Sequence, residues 1–203
     1  APAVKALAKR VRDLTSGRDA DFFTVSYPLV GDIQVAIGIA ARAVAERFPG
    51  AAPGVSAPVD VVGISMGGLV GRAFAMGCPT GRPRIDVQRL FTLATPHRGA
   101  RLAGRFGVDQ AARDMRAGSA FLAGLDEHLR ERPYELTCYA RLGDVMVGST
   151  NAAPHGRNPI WVPSAMFLSH ITIAGDEAIA ADIARRLRRE PPLGVESGPP
   201  PRD

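Results

Sequence analysis

Cysteine, lysine, tryptophan and histidine are all scarce in this chain, and each scarcity closes off a class of function. The only two cysteines, Cys78 and Cys138, stand far apart. They make neither a disulfide framework nor a metal motif, and two buried free thiols are expected. The four histidines show no ligand spacing, so no metal is expected. Lysine is confined to Lys5 and Lys9, and every other basic residue is arginine. The formal charge of +5 is scattered, apart from Arg185, Arg186, Arg188 and Arg189. Aromatics make up 6% of the chain and do not interleave with the arginines. Nucleic-acid binding is therefore not expected. Arginine in place of lysine, with abundant alanine, reads as coding bias. No apolar run nears the roughly 18 residues of a membrane span. The first residues lack the apolar core of a signal peptide, which leaves localisation open with the cytoplasm slightly favoured. No G-x-G-x-x-G turn is present to cradle a pyrophosphate, so no cofactor is expected.

What is present is one motif in the right setting. Gly63-Ile64-Ser65-Met66-Gly67 fits G-x-S-x-G. Val59, Val61 and Val62 lead in as a β-branched run, and Leu69, Val70, Ala73 and Phe74 lead out at helical spacing. Strand, tight turn and helix together are the context of a nucleophile elbow. The turn demands small neighbours two residues either side of the serine, and Gly63 and Gly67 stand there.

The rest of the chain alternates strands and helices. Val4, Leu7, Val11 and Leu14 make a helix over 3–14. Residues 21–27 read as a strand closed by Pro28. Asp32 caps a helix with its apolar stripe at Ile33, Ile37, Ala40, Val44 and Phe48. Residues 49–58 read as a loop, 59–64 as a strand, and the elbow helix runs to about Met76. A loop at 79–86 leads to a buried strand over 90–94. Residues 100–132 form a helical insert whose apolar set is Met115, Phe121, Leu122 and Leu125. A strand over 135–140, a loop over 143–159 and a short strand near 165–169 follow. The last helix starts at Asp176 and uses Ile179, Ile183 and Leu187. Residues 1–190 are expected to be one domain with 100–132 as its insert or cap. The Pro- and Gly-rich residues 191–203 are expected to be disordered. This alternation implies a mostly parallel α/β sheet with helices on both faces.

A serine hydroxyl needs an imidazole base, and the base needs a carboxylate to fix its tautomer. On this architecture the acid and then the histidine follow the serine. His97 comes directly after the next strand, with no strand-end acid between it and Ser65. His128 sits in a polar helical stretch. His155 follows the best acid too closely to leave room for a strand. His170 follows an apolar stretch, Met166-Phe167-Leu168, and is the expected base, with His155 second. Asp144 lies just past strand 135–140 behind Gly143 and is the expected acid. Asp109, Asp114 and Asp126 read as solvated helix residues, and Asp126 ranks second as the acid. The backbone N–H of Met66 supplies one oxyanion donor.

With these residues in place, the chain resembles the α/β-hydrolase superfamily, nearest its bacterial lipase and esterase branch, the triacylglycerol-lipase and PGAP1-like groups. The likeness rests on Val62-Gly63-Ile64-Ser65-Met66-Gly67-Gly68-Leu69-Val70, on Thr92-Leu93-Ala94-Thr95-Pro96-His97-Arg98-Gly99-Ala100, on Ala117-Gly118-Ser119-Ala120-Phe121-Leu122, and on Gly143-Asp144 with Ser169-His170. It implies ester hydrolysis through an acyl-enzyme on Ser65, with a small-molecule or lipid ester as the substrate. It also implies that the loop at His97 borders the site, with His97 itself a structural or pocket-wall residue rather than the base. Ile64, His97, Phe121 and Leu122 are the expected pocket residues. The family has earlier strands before the helix that opens this chain, so the expected fold lacks its first strands. Two other readings stay open: an inactive hydrolase-like binding domain, and an acyltransferase using the same nucleophile.

Overall fold

β2 (Val87–Leu93) is apolar on both faces, and the layers are built around it. The computed structural model describes residues 2–27, 30–77, 82–101, 109–164, 168–196 and 198–201. β1 (Val59–Ile64), β2, β3 (Glu135–Arg141) and β4 (Ile160–Val162) form a parallel sheet in the order β1-β2-β3-β4. Parallel strands need crossovers, which cover both faces and favour continuous apolar runs. β2 shows this in its alternation. Phe91 and Leu93 point to one layer, and Leu90 points to the other.

The first layer is α1 (Pro2–Thr15) with α7 (Glu177–Leu187). Leu7 and Val11 of α1, and Ile179 and Ile183 of α7, pack on Phe91, Leu93 and Tyr139. The second layer is α2 (Ile33–Arg47), α3 (Met66–Ala75) and α5 (Ala120–Glu131). Ile33, Ile37, Leu69, Phe74, Leu122 and Leu125 form its buried seam. A short α4 (Gln110–Asp114) precedes α5. The caps follow local chemistry: the Asp32 carboxylate accepts from Gln34 N–H, and that of Asp176 accepts from Ala178 and Ile179 N–H.

Two expected strands differ. Residues 19–21 form a 3-10 turn, and 22–27 pair with no strand among the described residues. The alternation in Phe22-Phe23-Thr24-Val25 is obeyed by packing instead. Phe22 joins the α1 layer, and Val25 and Tyr27 join the α2–α3 layer. Apolar alternation reports faces, not a hydrogen-bonded neighbour. The strand expected near 165–169 lies earlier, at β4, where Ile160-Trp161-Val162 pairs with Tyr139-Ala140-Arg141 before Pro163 stops it. Residues 165–167 lie outside the described residues. Ser169 and His170 begin a four-residue helix, α6 (Ser169–Thr172).

The segment after Pro191, whose composition points to disorder, is fastened to α7. Asp182 Oδ1 accepts from Leu193 N–H at 2.5 Å and Gly194 N–H at 3.0 Å. Its other oxygen accepts from Tyr139 O–H and Arg186 Nε–H. Cys138 is a buried free thiol, and Cys78 lies outside the described residues. Among the described residues, no helix is long and apolar enough to cross a membrane.

Candidate active site

Ser65 sits between β1 and α3 with φ 53° and ψ −128°, a left-handed backbone that costs a non-glycine residue on the order of 1–3 kcal/mol. The surroundings hold it there. Ser65 N–H donates to Leu93 C=O at 2.8 Å, and its own C=O accepts from Thr95 Oγ1–H at 2.9 Å and Gly68 N–H at 3.0 Å. A Cβ on Gly63 would lie 2.5 Å from the Gly68 backbone, and one on Gly68 would lie 2.1 Å from Thr95 Oγ1. The same Cβ on Gly63 would lie 2.6 Å from the Gly67 carbonyl carbon, so the first turn of α3 packs directly on Gly63. Among the described residues, a Cβ at Gly67 would meet the Tyr27 hydroxyl alone, at 3.3 Å.

His170 Nε2 lies 3.0 Å from Ser65 Oγ, and its Nδ1 lies 2.9 Å from Asp144 Oδ2. A carboxylate only accepts, so Nδ1 carries the proton and Nε2 presents a lone pair to the serine. Asp144 is 2% exposed. Its second oxygen accepts from Met146 and Val147 N–H, each at 3.0 Å. Gly143, at φ 76°, turns the chain out of β3 to aim this carboxylate. Such an arrangement can take the hydroxyl proton during attack and hold the resulting imidazolium. The N–H of Met66 opens α3, whose N-terminal field favours a developing negative charge.

Other expected site residues fall elsewhere. His97 is fully buried, so it offers no wall to a substrate. Its Nδ1 lies 3.2 Å from Arg72 Nη1 and its Nε2 lies 2.9 Å from Thr92 Oγ1. Arginine only donates, so Nδ1 accepts and Nε2 holds the hydrogen. Burial first, then the charges of Arg72, Arg157 and Arg98, push His97 well below its ordinary pKa. Leu122 is buried in the α2–α3–α5 seam and Phe121 packs against it, as expected of core rather than pocket. Ile64 packs on the α1–α7 layer. Asp126 is not a solvated helix residue: its Oδ1 accepts from the buried Arg72 Nη2 at 2.9 Å. His155 is exposed.

Sequence reasoning missed Arg72. The signal was a lone cation inside Leu69-Val70-Gly71-Arg72-Ala73-Phe74, which must be paired if that run is buried. It also missed Tyr27. A cavity of about 670 Å³ opens at the opposite end of the sheet, among Asp60, Arg89, Glu135 and Arg186. It is remote from Ser65, and Arg89 is committed there to Asp60 at 2.6 Å.

No protein-family model and no curated protein matches the sequence. Among solved structures, the propeptide form of the Bacillus licheniformis lipase BlEst2 superposes with a TM-score of 0.53 at 17% identity. The match covers 83% of this chain and 43% of the lipase, so this chain spans less than half the length of that structure. The mature form of the same lipase gives a TM-score of 0.46 at 15% identity, over 78% and 73% of the two chains. The parallel sheet, its two helical layers and the first of these likenesses agree on the architecture: the chain has the α/β-hydrolase fold.

Proposed function

We propose that this chain is a serine carboxylic-ester hydrolase of the lipase and esterase type. The observation that carries the reading is the continuous hydrogen-bond chain from Asp144 through His170 to Ser65. In this reading Ser65 Oγ attacks the ester carbonyl and His170 Nε2 takes the hydroxyl proton. The carbonyl oxygen becomes an oxyanion facing Met66 N–H. Collapse expels the alcohol, which takes the proton from His170 and leaves an acyl-enzyme. Water then repeats the sequence and releases the acid.

The substrate class follows from what surrounds the acid and base. Val145 and Met146 follow Asp144, Leu168 and Ile171 flank His170, and all four are exposed. Apolar side chains on both loops favour an ester with an apolar acyl group over a highly charged one. The experiment is hydrolysis of p-nitrophenyl esters of increasing acyl length, with the acyl-enzyme trapped by acid quench and weighed. Turnover with an acyl adduct on Ser65, both absent in Ser65→Ala, is the expected result. A folded chain that hydrolyses none of them and forms no adduct would instead favour the inactive binding domain.

A further inference from the structure

The Tyr27 hydroxyl is a hydrogen-bond donor that stands beside the elbow. Its ring packs against the α2–α3 layer. Its oxygen lies 3.3 Å from where a Cβ on Gly67 would be, against the first turn of α3 and two residues past Ser65 in sequence. Among the described residues it makes no hydrogen bond to another protein group. The oxygen is not sealed from solvent, so water satisfies it in the free protein. A ligand atom that displaces this water next to the nucleophile would take over its hydrogen bond. The ligand atom in question bears negative charge, because the first N–H groups of α3, from Met66 and Gly67, have no intrahelical acceptor and point the same way as the helix dipole. Burial pushes the phenol pKa up to about 12, so it keeps its proton at any pH an esterase would work at.

We propose that the Tyr27 hydroxyl is a catalytic donor to the oxyanion formed at Ser65, acting with the Met66 N–H; this rests on the hydrolase reading. As Ser65 Oγ bonds to the carbonyl carbon, the π pair moves onto the carbonyl oxygen and the serine proton goes to His170. Tyr27 donates a hydrogen bond to that oxygen and transfers no proton. On collapse the pair returns to the C=O bond, the leaving alkoxide takes the proton from His170, and the Tyr27 bond weakens again. The hydroxyl is thus used in the transition state and little in the ground state. Gly67 is required for a related reason. A methyl there would crowd the hydroxyl and force it to give by a few tenths of an ångström.

The test is Tyr27→Phe, with kcat expressed per active site titrated by a fluorophosphonate, so that any unfolded fraction drops out. The expected result is a fall in kcat on the order of 10²-fold, the effect typical of one oxyanion donor, with KM changed less than about threefold. Gly67→Ala should lower kcat in the wild-type background and add nothing to Tyr27→Phe, because both act on the same hydrogen bond. A Tyr27→Phe protein that keeps kcat within twofold, or a Gly67→Ala effect that is fully additive, would overturn the proposal while leaving Ser65, His170 and Asp144 intact. A wild-type chain that neither titrates nor turns over would instead remove the hydrolase reading, and this proposal with it.

Discussion

His97 and His170 each stand past the C-terminal end of a strand, each with both ring nitrogens engaged, and they do opposite things. His170 meets a carboxylate on Nδ1 and a hydroxyl on Nε2, with its side chain 10% exposed. His97 meets a guanidinium on Nδ1 and a hydroxyl on Nε2, and is wholly buried. Asp144 leaves the His170 lone pair facing Ser65 and can stabilise an added proton. Arg72 occupies the only lone pair of His97 and repels an added proton. The sign of the neighbouring charge therefore separates a ring suited to be a base from one suited to be a fixed strut. The strut spans elements: Arg72 belongs to α3, Asp126 to α5, Thr92 to β2 and Cys138, 3.6 Å from His97 Nε2, to β3. It ties the elbow helix to the sheet and to the insert, beneath the site.

The largest expected difference comes from deleting each ring. His170→Ala should lower kcat by on the order of 10⁴–10⁶, whereas His97→Asn should lower it less than about tenfold per titrated site. Ester turnover measured on both proteins separates them. Equal losses would erase the comparison. Asp144→Asn sharpens it from the other side. The amide keeps the shape but lets His170 adopt the wrong tautomer, so a loss of about 10⁴ in kcat with little change in melting temperature is expected.

Arg72→Met acts on the strut and should appear in stability. It strips Asp126 of its partner and leaves His97 Nδ1 without a donor, a loss of about 3–5 kcal/mol by urea unfolding. Replacing Asp126 by Leu in the same protein should recover part of it, since a buried pair removed together costs less than one partner removed alone.

The smallest effect is a pH dependence. The folded pKa of His97 lies below the ordinary 6.5, so between the two values the unfolded chain binds more protons. Stability from this residue is therefore complete above pH 6.5 and is lost as pH falls below it, by at most about 1.4 kcal/mol per pH unit. Urea midpoints from pH 8 to pH 5 should decline, and His97→Asn should flatten that decline.

The proposed triad of Ser65, Asp144 and His170 could be assembled from the sequence because the elbow has a local signature and chain order prunes the partners, and the structure brings the three side chains together. Asp144 and His170 were chosen as residues at strand ends, and the structure sets His170 in α6. The Arg72–Asp126 pair was not legible, because an ion pair across two helices leaves no periodic trace in either. His97 was read as a structural or pocket-wall residue because its loop neighbours the site, and the ring turns under the sheet edge to meet Arg72. Residues 21–27 carried a strand's alternation without a strand's partner. In each case the faces were written locally and the partners were not.

The most direct test of the account is the rate at which a fluorophosphonate labels Ser65, followed by intact mass in the wild type, Ser65→Ala, His170→Ala and His97→Asn. The account predicts one adduct on the wild type, none on Ser65→Ala, labelling slowed by orders of magnitude in His170→Ala, and near-normal labelling in folded His97→Asn. Labelling that survives His170→Ala but is lost in folded His97→Asn would contradict it.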